Sequence, residues 1–482
     1  MLWIAMAGCG PTEVSEPCTC PSAGQAARAC NGGRCGACLC LPSLPATPRA
    51  EPARVFFVDP DVSKSGGDGS PADPWRELVW APIDAALATG DVTVFFSARL
   101  ASSDANQTSK GEIQILGPSR LILDGRSQAN LDDAAPRWVA YSGAARAQWR
   151  GVTTTEQHLK KSRVTVTGFE LRDSVSQGVF WEAGDEVVLE DLVISNNGRS
   201  PAILLEYADR SGLPSDHFTV RNNHLFNITG ECIYIGGREG TEGPSHSHVL
   251  IENNLVHDCG FRDRNGDDWD GINLKDRLTS AVVRHNVIYR THWGIQMTSV
   301  NAVVEENLIF DTDAAGIMVG GGGWGVPLDS DTRISDNVIL RAGGDPNSGS
   351  SSGIYVDADQ EGAKGAVFTH NTIASTRSGP AMMLAGNGGL SIDLGSNWLT
   401  HSSKGLDGWG DVQVSIEDTA FFANTHNATR APASVDAVGA VPQIDPRYVD
   451  LLNPAGVDRI YFTADDGWLA QTAALRGARL AK

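Results

Sequence analysis

Ala281-Val-Val-Arg-His-Asn286-Val-Ile-Tyr-Arg-Thr-His-Trp-Gly294-Ile-Gln-Met297 is followed closely by a second copy of its own pattern, Ala302-Val-Val-Glu-Glu-Asn307-Leu-Ile-Phe-Asp-Thr-Asp-Ala-Ala-Gly316-Ile-Met-Val319. Each copy holds an apolar residue, two polar ones, an Asn and a short apolar run. A small residue then opens a second apolar run. The first element recurs at Val220-Arg-Asn-Asn223, Ile251-Glu-Asn-Asn254, Ile334-Ser-Asp-Asn337 and Phe368-Thr-His-Asn371. From Asn223 to Asn371 the gaps between these Asn are 31, 32, 21, 30 and 34 residues. A weaker copy stands at Leu394-Gly-Ser-Asn397, and Val166-Thr-Gly-Phe169 and Leu189-Glu-Asp-Leu192 lack the Asn. The second element recurs as Gly178-Val-Phe-Trp, Ala202-Ile-Leu-Leu, Cys232-Ile-Tyr-Ile, Gly271-Ile-Asn-Leu and Gly353-Ile-Tyr-Val.

Runs this short, rich in Val and Ile and punctuated by Gly and Asn, cannot bury a face alone. They can do so by stacking on their own repeats. A unit of 21 to 34 residues with two or three strands predicts a parallel β-solenoid of about nine to ten coils. A leucine-rich repeat has a similar period, but its Leu-x-x-Leu-x-Leu frame is absent. Asn tolerates left-handed backbone, so the repeated Asn is expected at the sharp bend. Its amide is expected to bond the equivalent Asn one coil away, as in other stacked Asn ladders.

Working outward, the 482 residues carry 38 basic and 58 acidic side chains, a net charge of −20. That balance excludes a sequence-independent nucleic-acid binder, which needs basic surface to displace counterions. No run of 18 apolar residues is present to span a membrane. Seven of the nine Cys fall within the first 40 residues. Met1 to Gly8 is short and apolar, and Cys9 follows. This is the pattern of a lipoprotein signal, with Cys9 as the lipidation site. The expected product is an exported, monomeric protein, held at the outer membrane or cell surface by that lipid alone, or otherwise secreted. Cys18, Cys20, Cys30, Cys35, Cys38 and Cys40 remain. Their spacing also suits zinc, but an oxidising compartment favours up to three local disulfides. Leu41 to Arg54 reads as a Pro/Ala linker. The expected organisation is a signal over 1–9, a Cys-rich segment and linker over 10–54, an N-terminal cap and first strands over 55–160, coils over 161–400 and a C-terminal cap over 401–482.

The chain resembles the right-handed parallel β-helix proteins of the pectate-lyase-like superfamily. Besides the coils, Val55-Phe-Phe-Val-Asp-Pro, Gly67-Asp-Gly-Ser70 and Pro74-Trp-Arg-Glu-Leu78 resemble the opening of its extracellular members. Asp445-Pro-Arg-Tyr-Val-Asp450 and Phe462-Thr-Ala-Asp-Asp-Gly-Trp-Leu469 resemble the closing segment of bacterial members. The resemblance implies an all-β solenoid with terminal caps. It does not choose an activity, because one solenoid hosts many. The Arg-x-Pro-x-x-Arg motif of the main pectate lyases is absent. So are the Asn-Thr-Asp, Gly-His-Gly and Arg-Ile-Lys motifs of polygalacturonases and the Asp-Pro-His of C5-epimerases.

Aligning the second elements on their small residue predicts outward columns on one sheet. Tyr234, Asn273, Gln296, Met318 and Tyr355 stand two positions after it. Glu182, Glu206, Gly236, Lys275, Thr298, Gly320 and Asp357 stand four after it, and Glu231, Asp270 and Trp293 just before it. Such a face suits a sugar polymer. Glu231, Tyr234, Arg238, Asn273, Trp293, Gln296 and Tyr355 are the candidate substrate-binding residues. Asp263 to Asp276 concentrates carboxylates and amides, the hard oxygen donors of Ca²⁺. Asp263, Asp267, Asp268 and Asp270 are the candidate ligands. The loop is not an EF-hand, since Asp268 replaces the required Gly. Lys275 follows directly. In β-elimination of a uronate, a cation neutralises the carboxylate and a base takes the adjacent proton. Ca²⁺ with a Lys or Arg base is what the resemblance implies, and Lys275 is the candidate base. His257 and His292 are candidate acid–base groups, and Arg290 or Arg238 could grip a carboxylate. Cys232 and Cys259, on consecutive coils, read as stacked buried thiols or as a disulfide.

The leading expectation is a calcium-assisted lyase acting on a uronate-containing polysaccharide. A glycoside hydrolase using paired carboxylates, such as Asp270 with Asp276 or Glu231, is the second. A non-catalytic glycan-binding or structural surface module is the third.

Overall fold

The structure is a computed structural model. Between 54 and 429 it describes every residue except 60–65, 77, 97–118, 126–138, 143–148, 152–162, 173–176, 182–184, 198–200, 207–215, 237–245, 261–269, 276–277, 299–301, 321–330, 358–364, 387–390 and 411; outside that span it describes 25–28, 38–42, 446, 448, 450–452, 454 and 460–461. The chain divides into two compact units.

The larger unit, Glu51–Ile444 with Leu475–Arg479, is a right-handed parallel β-helix. Three parallel sheets run its length, with thirteen, eleven and eleven strands among the described residues. One coil shows the plan. Val249–Glu252 lies in the first sheet, Leu255–Cys259 in the second and Ile272–Leu274 in the third. The next coil repeats it with Ala281–Arg284, Val287–Tyr289 and Ile295–Met297. Residues alternate in and out, as a half-buried strand requires. In Ala281–Arg284, Ala281 and Val283 are buried, and Val282 and Arg284 are only partly so. Inward residues stack coil upon coil. Ile251, Val283, Val304 and Ile334 form one column, and Val256, Ile288, Ile309 and Ile339 another. All eight are fully buried in one continuous core.

The stack is longer than nine to ten coils. Arg54–Val58, Val92–Phe96 and Arg120–Asp124 pair in parallel into the first sheet ahead of Arg163–Thr167. Their alternation of large apolar residues is that of a coil, although they lack the Asn that marks the later ones. The short helix Trp80–Leu87 adds Ile83, Ala86 and Leu87 to the core.

The Asn ladder forms at the turn between the first and second sheets. Asn254 Oδ1 accepts from both the backbone N and the Nδ2 of Asn223, each at 3.0 Å. Asn254 Nδ2 donates to Asn286 Oδ1 at 2.9 Å and to Val220 O at 3.0 Å. The same amide chain continues through Asn307, Asn337, Asn371 and Asn397. It begins at Leu192, whose N donates to Asn223 Oδ1, and ends on Thr419. One expectation is corrected here. The ladder Asn does not itself take the left-handed conformation. The residue before it does, as at Asn222, Asn253, His285, Glu306, Asp336 and His370, with φ from 54° to 57°. The ladder amide is fully used by its neighbours, and the left-handed conformation falls on the adjacent polar residue.

Cys232 and Cys259 form a disulfide, which corrects the reading of stacked free thiols. Cys259 lies directly across from Ile228. The bend after Ile228 brings Cys232 back to it.

The smaller unit comprises Met1–Ala50, Asp445–Ala474 and Leu480–Lys482. Gln25–Arg28 pairs antiparallel with Cys38–Pro42, which pairs in parallel with Ile460–Tyr461. Among the described residues, no helix is long and apolar enough to cross a membrane.

Candidate functional site

Among the described residues, the columns expected on the third sheet are in register. Tyr234 pairs with Asn273, Asn273 with Gln296, Gln296 with Met318 and Met318 with Tyr355. Their flanking residues Ile233, Ile235, Ile272 and Leu274 point into the core, so this column faces out. The adjoining column runs through Gly236, Lys275, Thr298, Gly320 and Asp357. Lys275 N donates to Ile235 O and Thr298 N to Leu274 O, both at 2.8 Å, which keeps both residues in register beyond the strand ends. Gly320 pairs with Asp357.

Lys275 is half-buried, and its Nζ lies 5.4 Å from the Tyr234 ring centroid. That is cation–π range. Gly236 permits the contact. A Cβ there would sit 2.8 Å from Lys275 Cβ and 2.9 Å from its carbonyl carbon. A side chain at 236 would push the lysine away.

Asp270 and Asn273 come together at the entrance to the same strand. Both are buried, and Asn273 Nδ2 donates to Asp270 Oδ2 at 2.7 Å. Asn273 Oδ1 is buried with no hydrogen-bond partner among the described residues. Glu231 occupies the equivalent position one coil earlier and is also buried, as the bond from Cys232 N to Asp270 O shows by placing the two segments side by side. Trp293 follows one coil later, donating Nε1–H to Ser350 Oγ at 3.1 Å. His292 leans on the Trp293 ring, 4.9 Å between centroids.

His257 belongs to a different face. It lies on the second sheet, in an aromatic column with Phe226, Tyr289 and Phe310. Successive rings are 5.4, 4.6 and 4.7 Å apart and within 15° of parallel. Its Nδ1 meets Asp258 Oδ2 at 2.7 Å and its Nε2 meets His224 Nε2 at 2.9 Å. Burial pushes its pKa down, and the Arg290 charge adds to this; Asp258 opposes both. The imidazole is therefore neutral at pH 7, with Nδ1–H donating to the carboxylate. Arg290 makes a two-pronged pair with Asp258, Nε to Oδ1 at 2.7 Å and Nη2 to Oδ2 at 2.6 Å. Burial alone would raise the Asp258 pKa, but the bonds from His257 and Arg290 outweigh it and hold the carboxyl well below the usual range. Arg341 repeats the arrangement on Asp311. The Arg290 guanidinium is thus committed to a ladder of turn charges, and the structure does not bring it to Lys275 or Asp270 on the third sheet.

Asp263, Asp267, Asp268, Arg238 and Cys9 lie outside the described residues, as does Asp276. The sequence reading missed Asp216, His217 and His248, which cluster at the start of the first-sheet strands. A signal existed. Each His stands six residues before its ladder Asn, at 223 and 254.

Residues 211–402 match the family model described as a right-handed β-helix region. No curated protein matches the chain. Among solved structures, it is similar to an alginate lyase from Paenibacillus sp. str. FPU-7, at 13% identity over 65% of this chain and 93% of that one, with a TM-score of 0.39. It is similar to the A-module of the Azotobacter vinelandii mannuronan C-5 epimerase AlgE4, at 15% identity over 78% and 98%, TM-score 0.38. It is also similar to the pectate lyase Pel9A, at 14% identity over 88% and 91%, TM-score 0.43.

Proposed function

We propose that the outer face of the third sheet binds a uronate-containing polysaccharide and that Lys275 cleaves it by β-elimination. The observation that carries this reading is the placement of Lys275. It is an amine on an outward column, beside a parallel column in which Tyr234 and Tyr355 are only partly buried and offer ring faces to sugars. An acidic chain of net charge −20 repels a polyuronate, so positive charge at the site must overcome that repulsion.

The Lys275 amine takes the proton from the carbon next to the substrate carboxylate. The electron pair of that C–H bond forms the new double bond, and the adjacent C–O bond breaks. The leaving oxygen departs with its electron pair and is then protonated. Tyr234 holds the lysine on this face, and Gln296 and Tyr355 position the sugar rings.

Calcium belongs to the same proposal. Asp270 offers a carboxylate, and Asn273 Oδ1 is a buried oxygen with no partner among the described residues. Both are donors of the kind Ca²⁺ takes, so the described residues fit the ion, with Asp263, Asp267 and Asp268 as further candidate ligands. When bound, Ca²⁺ neutralises carboxylate charge and stabilises the negative charge that develops on elimination. Export on a lipid anchor at Cys9 completes the proposal.

One observation favours a second reading. Glu231 and Asp270 occupy equivalent positions on adjacent coils, which are about 4.8 Å apart. Retaining glycosidases place their carboxyl groups about 5 to 5.5 Å apart. Mass spectrometry of products separates the two. Elimination leaves an unsaturated uronate at the new end, while hydrolysis adds the elements of water. Saturated products only would replace the lyase with a hydrolase.

A further inference from the structure

A second cluster of side chains lies on the first sheet. Asp216 and His217 open the strand Asp216–Arg221, and His248 precedes Val249–Glu252 one coil later. Asp216 Oδ2 is 2.9 Å from His217 Nδ1, and Asp216 Oδ1 is 2.6 Å from His248 Nδ1. The two rings stack 4.6 Å apart at 11°. One ligand atom from each residue lies within 4.8 Å of the other two.

The arrangement is held from behind. Both histidines take left-handed backbone, with φ of 56° and 50°. His217 N donates to Ser247 O at 3.2 Å and His248 N to Ser280 Oγ at 2.7 Å. Ser247 Oγ donates to Asp216 Oδ1 at 2.7 Å. Burial pushes the Asp216 pKa up, but the bonds from His248 and Ser247 and the two histidines outweigh it and keep the carboxyl below its usual value. One coil earlier the same left-handed slot holds Glu186, which pairs instead with Arg120 and Arg163. At Asp216, among the described residues, two imidazoles share the carboxylate instead.

We propose that Asp216, His217 and His248 form a transition-metal site that takes Zn²⁺ or a similar divalent ion. Two imidazole nitrogens and one carboxylate oxygen suit a borderline ion, unlike the all-oxygen set that suits Ca²⁺. Each imidazole would coordinate through Nδ1 with its ring proton on Nε2. Three protein ligands leave the fourth tetrahedral position to water, and both rings are exposed to it. The ion ties two consecutive coils together at their edge. This site is independent of the Lys275 face.

The test uses the metal-free full-length chain. Zn²⁺ affinity is read by calorimetry, and coordination by the visible bands of Co²⁺. Thiolate ligation by the N-terminal cysteines adds near-ultraviolet charge-transfer bands, so the two sources are distinguishable. The variants are His217→Asn and His248→Asn, because Asn tolerates the left-handed conformation. The expected result is a visible Co²⁺ band without thiolate charge transfer, affinity at least tenfold weaker in each variant, and loss of that band in the double variant. Zn²⁺ is also expected to raise the thermal midpoint of the parent and not of the double variant. A parent with no such band, or a band that survives in the double variant, overturns the site.

Discussion

Lys275 Nζ stands 5.4 Å from the centroid of the Tyr234 ring, one coil away, on the outward face of the third sheet. The contact depends on what is missing at position 236. Gly236→Ala places a Cβ 2.8 Å from Lys275 Cβ, so the lysine or its strand must shift. Overpacking of this kind costs about 1–3 kcal/mol. The expected outcome is a folded protein, by circular dichroism, whose turnover on a uronate polymer falls at least tenfold. Parent-like turnover would separate Lys275 placement from activity.

The ladder sets the second prediction. Asn286→Ala removes the acceptor of both Asn254 N and Asn254 Nδ2, which are buried. It also removes the donor to Asn307 Oδ1. Each buried group left unpaired costs about 1–3 kcal/mol, so chemical denaturation should show a loss of about 2–4 kcal/mol. A loss below about 1 kcal/mol would mean that the ladder is ornament on a core that holds without it.

Acid stability turns on His246. Its pKa is lowered from 6.5 to about 4 by burial, with the Gly236 backbone offsetting part. The unfolded chain therefore binds a proton from pH 6.5 downward that the folded chain refuses until about pH 4. The His246 contribution is full above that window, falls across it by up to about 3 kcal/mol, and changes little below it. His257 titrates in the same sense. His246→Phe should shrink the slope of denaturation midpoint against pH between 6.5 and 4, leaving the His257 share. An unchanged slope would contradict the assignment.

The disulfide supplies a fourth. Cys232 and Cys259 are 27 residues apart, and closing a loop of that size stabilises by about 3 kcal/mol in the chain-entropy view. Cys232→Ser with Cys259→Ser should lower the denaturation midpoint accordingly, and adding reductant should then have little further effect on the β-helix transition. A double variant as stable as the parent would remove the disulfide from the fold's energetics.

How much of this was legible in the sequence follows from what the repeat locks. The Asn at 223, 254, 286, 307, 337 and 371 announce the coils because one amide must meet the next. Aligning small residues recovered the columns through Tyr234 and Lys275, because a strand position fixes which face a side chain takes. Roles within a slot were harder to read. His257 stands three residues after its Asn, the slot of Phe226, Tyr289 and Phe310, and the aromatic stack claims it. Arg290 stands four after, the slot of Asp258, Asp311 and Arg341, where charges pair along the axis. The strands before 160 are expected from the sequence, but not as coils of the stack, because Leu121 and Leu123 bury themselves without a ladder Asn to mark the turn. The disulfide was left open because Cys232 and Cys259 occupy different slots, and only the bend after Ile228 brings them together.

The central claim is elimination by Lys275 on the third-sheet face. The most direct measurement is the rise of unsaturated-product absorbance when the purified chain meets pectate, alginate or a glycosaminoglycan, with calcium and with chelator. The expected result is a signal on at least one polymer that falls with chelator and is lost in Lys275→Ala. No signal on any of them, or a signal that Lys275→Ala leaves intact, would contradict it.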